Sequence, residues 1–297
     1  MKLYMAIVTG MLASSACTAT PAGLPKSPPQ GHQLTMAPPI YLVSAEKKST
    51  ATADQLKTQF PQLSFVVKNG FTAYRITYNT TDALGKAVVA SGAIFVPDVQ
   101  QALPMLNYNH GTIFPSQEYQ APSYMRNNAE SGIGKLFSAA GYLVVVPDYV
   151  GYGSSKKSPH PYGAYHIIAN SVTDMLYAAR EFCGDKKINL SGKNFFSGWS
   201  EGAAVALAVV KKLEASNDQN FVPTSSVLNA GPYYSSAFVD RILASETPLK
   251  YMPTYVWVLR SYNWIYGINR PDNYYFNEPA AGDLSKDAEA EITHDPK

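Results

Sequence analysis

The chain is short of the features that would announce its class at once. Charge is sparse, with Asp, Glu, Lys and Arg making up 15% of 297 residues, and 24 basic residues nearly balance 22 acidic ones. A net charge of +2 gives neither the basic field expected for nucleic acid nor an acidic tail, so no nucleic-acid partner is expected. Cysteine is nearly absent: Cys17 and Cys183 are the only two. A disulfide between them would require both to persist in the mature chain, and Cys183, following an apolar helical pattern, reads as a packed thiol. No apolar run is long enough to span a bilayer, and there is no internal repeat or low-complexity tract.

The first residues carry export-signal grammar: Lys2, an apolar stretch from Leu3 to Ala13, then Ser14, Ser15, Ala16 and Cys17. Residues 1–16 are expected to be a cleaved signal peptide. Cleavage before Cys17 would make it a lipidation candidate and a membrane tether, although serine stands three places before it instead of an aliphatic residue. The chain is expected to be exported, either to the cell envelope as a lipoprotein or to the periplasm or beyond. Residues 17–40 hold Pro21, Pro25, Pro28, Pro29, Pro38 and Pro39 and suit an extended tether. The folded body is expected after about residue 40.

Phe71–Tyr78 and Ala87–Val96, joined by turn-forming residues 79–86, read as an N-terminal β-hairpin. Met105–Tyr108, Tyr142–Val146, Lys193–Phe196 and Ser226–Leu228 read as short apolar strands, each followed by enough chain for a helix. Helices are placed at Gly134–Ala140, Ser171–Phe182 and Glu201–Ala215. The last is apolar all round from Ala203 to Val210, which marks a helix buried against a sheet. This alternation predicts the α/β class with a mostly parallel sheet.

Gly198, Trp199, Ser200, Glu201 and Gly202 spell GxSxG between a strand and that buried helix. A sharp turn there holds the serine in a strained conformation and aims its hydroxyl at the top of the sheet, beside the positive end of a helix dipole. The competing reading makes Ser200 a plain helix N-cap. Asn107–Thr112 (NYNHGT) ends the neighbouring strand, and loops of this HG type supply an oxyanion donor. The backbone amides of Thr112 and Glu201, with Gly111 between strand and donor, form the expected oxyanion hole. His110 is expected to organise that loop. In Asp148–Ser155 (DYVGYGSS) the GxG lacks a third glycine, since Lys156 stands in its place, so it is no dinucleotide fingerprint; Asp148 reads as a structural carboxylate satisfying loop amides.

With GWSEG, NHGT and PDYVGYGSS in the chain, it resembles the α/β-hydrolase superfamily, and within it exported bacterial lipases and esterases of the secretory-lipase type. His160–Tyr162, Asn229–Tyr233 (NAGPY) and Tyr266–Pro271 (YGINRP) extend the likeness across roughly residues 71–279. The resemblance implies an eight-stranded sheet, a helical lid inserted after the sixth strand, and a Ser, Asp, His triad in that order. It divides the chain into a core over 41–232, a lid over 233–285 rich in aromatic residues, and a polar tail over 286–297. Only 97 residues follow Ser200. After Phe276 no apolar run offers the last two strands, so the chain is expected to be truncated relative to such proteins. His294 with Asp272 or Asp283 would complete a triad only if Tyr255–Leu259 were a sheet strand. The expected activity is hydrolysis of small ester or lipid substrates through an acyl-enzyme on Ser200, with no metal and no other cofactor. An exopeptidase on the same fold, and an inert or binding remnant lacking the triad Asp and His, remain open beside it.

Overall fold

The computed structural model describes residues 40–126, 129–247 and 252–278. The expected signal peptide, Cys17, the proline-rich tether, Asp283, His294 and the polar tail lie outside them.

Seven strands make one sheet: β1 (Leu42–Ala51), β2 (Phe71–Thr81), β3 (Ala87–Pro97), β4 (Leu103–Asn109), β5 (Leu143–Pro147), β6 (Leu190–Trp199) and β7 (Pro223–Asn229). Their spatial order is β1-β2-β3-β5-β4-β6-β7. The β2–β3 hairpin forms because Asp82 closes its turn, accepting from the amides of Leu84 and Lys86 at 2.9 and 3.0 Å. Gly85 supplies the φ of +79° that the turn requires. β5 (LVVVP) is buried along its whole length because it is covered on both faces. Leu143 and Val145 face one apolar cluster, Val144 and Val146 the other, following the period of two along a strand.

The helices are α1 (Ala53–Gln59), α2 (Ala129–Ala139), α3 (Tyr165–Asp185), α4 (Glu201–Ser216), α5 (Ser235–Leu243), α6 (Met252–Ile265) and the single-turn α7 (Asp272–Tyr275). α3 and α4 cover one face with Val172, Met175, Val205 and Val209 against Ile76, Ile94 and Phe196. On the other face, Ile133 and Leu136 of α2 pack with Phe71, Phe95 and Tyr108. No helix among the described residues is long and apolar enough to cross a membrane.

The sheet differs from the expected one in the direction of its strands. The sheet is mixed: β1–β2, β2–β3 and β3–β5 pair antiparallel, while β5–β4, β4–β6 and β6–β7 pair parallel. The antiparallel half arises from the hairpin and from β1, a strand without the apolar alternation that would have marked it. β1 is a margin strand, tied by its ladder to β2 and, just before it, by the Glu181 carboxylate accepting from the amides of Tyr41 and Leu42. Seven strands are found among the described residues, where the resemblance implies eight and no apolar run after Phe276 is expected to supply the last two. Tyr255–Leu259 is helical, lying inside the 14-residue α6, where Trp257 is buried against Phe114 and Tyr162.

Cys183 sits on α3, 2% exposed, and burial pushes its thiol up to about 12. At neutral pH a thiol of this kind holds almost no thiolate, the species that reacts. Peptide mapping after iodoacetamide treatment of the native protein should therefore find Cys183 unmodified, and fully alkylated only when denaturant is present during the reaction.

Candidate active site

The parallel register pairs Asn109 at the end of β4 with Gly198 near the end of β6, and Trp199 with Asn229 at the end of β7. Three loops therefore leave the sheet at the same edge, and ligands of open α/β sheets bind at this carboxyl edge. Ser200 lies between β6 and α4 with φ 54° and ψ −122°, a region that non-glycine residues avoid. Its amide donates to the Asn229 carbonyl at 2.9 Å, and its carbonyl receives the amide of Ala203 at 3.0 Å. The turn is thus held at both ends while the side chain stays outside the bonding. Ser200 does occupy the N-cap position, but its hydroxyl makes no capping bond, which removes the plain N-cap reading.

The two motif glycines are demanded by contact. A Cβ at Gly202 would overlap the carbonyl oxygens of Asn109 and His110, and one at Gly198 would overlap the Gly202 carbonyl. α4 can therefore start only where the backbone of the NHGT segment presses against it. That contact brings Gly111 over the turn: a Cβ there would lie 3.4 Å from the Trp199 carbonyl oxygen and 3.8 Å from the Ser200 Cβ. Glu201 is the first residue of α4, so its N–H has no intrahelical acceptor. The Thr112 side chain is held by the Tyr162 hydroxyl at 3.0 Å. Ser200, Gly111 and the start of α4 are thus together, as the motifs require.

His110 is fully buried beneath this loop. Its Nδ1 lies 2.7 Å from the Gly111 carbonyl oxygen and its Nε2 3.2 Å from that of Asp148, with the ring stacked on Tyr149 at 4.1 Å. The Tyr149 hydroxyl in turn donates to the His110 carbonyl at 3.0 Å. Asp148, also fully buried, accepts from the Ser123 amide at 2.7 Å and the Ser91 hydroxyl at 2.5 Å. Burial raises its carboxyl above the ordinary range, and these donors oppose the rise. Gly153 must be glycine here, since a Cβ would overlap the Asp148 carboxylate and the Ser91 hydroxyl. Asp148 is engaged with loop donors, and no hydrogen bond links it to Ser200.

One group at the site escaped the sequence reading. The Glu201 side chain is 2% exposed, and its Oε1 lies 2.9 Å from His160 Nε2. Its sequence signal was available: an acidic residue opening a helix that is apolar all round from Ala203 to Val210 needs a buried partner. Around the pair, Tyr162 stacks on Trp257 of α6 at 4.2 Å, and Phe114 stacks on the same ring at 5.9 Å. Of the remaining expectations, Asp272 forms an ion pair with Arg260 at 3.4 Å. His166 is exposed on α3. Among the described residues no histidine hydrogen-bonds the Ser200 hydroxyl, and no group of three His, Cys, Asp or Glu is placed to hold a metal ion.

No protein-family model matches the chain, and no curated protein matches it in sequence. Solved structures do match in fold. The rice cell wall degrading esterase LipA from Xanthomonas oryzae superposes with a TM-score of 0.72 at 23% identity, over 84% of this chain and 66% of that one. A protein assigned as a hydrolase from Legionella pneumophila gives 0.71 at 22% identity, over 84% and 67%. Lipase A of Candida antarctica gives 0.56 at 13% identity, over 82% and 54%. The chain spans about two thirds of the length of the first two and about half of the third. At these identities what is shared is architecture: the chain has the α/β-hydrolase fold.

Proposed function

We propose that this protein is a serine hydrolase of carboxylic esters, acting through an acyl-enzyme on Ser200. The observation that carries the reading is the backbone of Ser200, strained at φ 54° and ψ −122° between β6 and α4, with Gly111 packed against it. Strain of about 1–3 kcal/mol persists only where the surroundings impose it, and it gathers at reacting groups. The esterase and lipase activities named for two of the fold neighbours favour esters as the substrate class.

In this mechanism the Ser200 Oγ attacks the ester carbonyl carbon and its proton passes to a general base. The carbonyl π electrons move onto oxygen, and the oxyanion meets the amides of Glu201 and Thr112 beside Gly111. Collapse breaks the ester C–O bond, and the alcohol leaves with the proton. Water then attacks the acyl carbon, the acid departs, and the Ser200 hydroxyl is restored. His110 fixes the amide-bearing loop, and helices α5 to α7, with their aromatic residues, roof the acyl side of the cleft. The protein acts on small ester or lipid substrates after export, tethered to a membrane if Cys17 is acylated.

A second reading is favoured by one observation: none of the described histidines hydrogen-bonds Ser200, as a general base would. In that reading the fold retains a cleft without its own base and turns over slowly or not at all. A fluorophosphonate separates the two, since attack by Oγ on phosphorus expels fluoride and leaves a stable adduct. Stoichiometric labelling in intact-mass spectra supports the hydrolase, and absence of labelling supports the inert cleft. A panel of short acyl esters against aminoacyl amides then tests substrate class. Faster turnover of the amides would replace esterase by exopeptidase.

A further inference from the structure

The carboxylate of Glu201 sits where a serine hydrolase can least tolerate it, on the residue whose amide is to receive the oxyanion. It is fully enclosed, and among the described residues its Oε2 has no hydrogen-bond partner. An isolated negative charge there would oppose the charge that develops in the transition state, at the low effective dielectric of a buried site.

His160 addresses it. The His160 and Glu201 side chains are each 2% exposed. The Nδ1 of His160 lies 2.8 Å from the Val150 carbonyl oxygen, which can only accept, so Nδ1 carries a proton. The contact from Nε2 to Glu201 Oε1, 2.9 Å, then needs one further proton between them. Whichever atom holds it, imidazole and carboxyl together are neutral. The placement is rigid. Gly151, at φ +103°, brings its backbone so close that a Cβ would lie 2.6–2.7 Å from the Cβ, Cα and N of His160. The ring also packs on Tyr152 at 4.8 Å, Trp257 at 5.7 Å and Tyr149 at 5.8 Å. Tyr152, Tyr162 and Tyr165 also sense Glu201, phenols raised first by burial and next by that carboxylate, so none of them supplies positive charge. His110, on the loop pressed against the start of α4, turns its ring nitrogens to the carbonyl oxygens of Gly111 and Asp148 and makes no hydrogen bond to Glu201.

The geometry assigns His160 as a positioning residue that neutralises Glu201 and fixes the first peptide of α4, keeping the oxyanion amide free of an opposing charge. This assignment rests on the reading of Ser200 above. It differs from a general base in that His160 never touches substrate.

The test uses fluorophosphonate labelling rates of the whole chain from pH 5 to 8. His160→Gln should slow labelling of Ser200 about tenfold to a hundredfold at pH 8, no more than the roughly 10²–10³-fold cost of losing an oxyanion donor outright, because the amide itself remains. The deficit should shrink as the pH falls. Adding Glu201→Gln to His160→Gln should recover most of the rate and remove the added pH dependence. Thermal melts keep the proposal testable even where His160→Gln folds poorly. A buried carboxylate without its partner gains protons on folding, so the variant's midpoint, relative to the parent, should rise as pH drops from 8 to 5. A parent chain that is not labelled at all overturns the reading of Ser200 and this assignment with it. If the parent is labelled but His160→Gln reacts as fast at every pH, or more slowly by a constant factor that Glu201→Gln does not repair, Ser200 stands and the neutralising role of His160 falls. A relative midpoint that is flat with pH likewise overturns it.

Discussion

Replacing Ser200 with alanine is expected to abolish fluorophosphonate labelling and to reduce ester turnover on the order of 10⁶-fold, the loss seen when a nucleophile is removed from a triad that acts as a unit. Folding should survive, because the Ser200 hydroxyl makes no capping bond and the bonds holding the turn come from its backbone amide and carbonyl. Glycine at the same position separates chemistry from strain. At φ 54° and ψ −122° a side chain is unfavourable and glycine is not, so Ser200→Gly should relieve about 1–3 kcal/mol of strain. The greater entropy of glycine in the unfolded chain returns up to about 1 kcal/mol. The net result is a variant up to about 2 kcal/mol more stable than its parent and without activity, read by urea titration beside the ester assay. A glycine variant no more stable than Ser200→Ala would show that the turn is not under strain and would remove the main support for Ser200 as nucleophile.

The second large effect concerns Gly202, which is not expected to react with anything. A methyl group there has to displace the carbonyls of Asn109 and His110, backbone atoms tied into the sheet and its loop. Overpacking against a rigid partner costs typically about 1–3 kcal/mol, and backbone that cannot yield puts Gly202→Ala at the upper end. For a domain of this size that corresponds to a fall in melting midpoint of roughly 6–12 °C. Activity should fall further than stability does, because any shift that admits the methyl group separates the NHGT loop from Ser200. Gly132→Ala is the control. This glycine lies within α2 with no atom in reach of a Cβ, and alanine there should stabilise the protein by about 0.5–1 kcal/mol through helix propensity alone. Equal effects at both positions would mean that the close approach at Gly202 is not a constraint.

Gly198 and Gly202 also show why so much of the candidate site was legible in the sequence. Gly198, Ser200 and Gly202 are local neighbours, and a strand before them and a helix apolar all round up to Val210 after them leave few ways to arrange the turn. β5 was equally plain, since four apolar residues in a row within a βα alternation suit only a strand covered on both faces. What could not be read was held by long-range contact. His160 and Glu201 are 41 residues apart, and nothing in the spacing says that they meet. β1 (LVSAEKKSTA) is mostly exposed, and its strand character comes from the ladder to β2 instead of from its own pattern. Tyr255–Leu259 is a short run of aromatic and β-branched residues that fits strand or helix equally, and the packing of Trp257 on Tyr162 belongs to a 14-residue helix. For Asp148, the neighbouring turn motif pointed to a buried structural carboxylate, but not to Ser91 as its donor, 57 positions earlier.

The strand order leaves β7 at the margin of the sheet, and its Val227 is 60% exposed. Just beyond it, Tyr234, Phe238, Val239 and Leu243 also stand open to solvent. Among the described residues no strand pairs with the outer edge of β7, and an open edge next to oily side chains is a template for sticking, so the variants are expected to associate more as their concentration rises. Melting curves and rate constants for the variants above are therefore properties of a chosen dilution, and they become comparable only when every sample is measured at the same one.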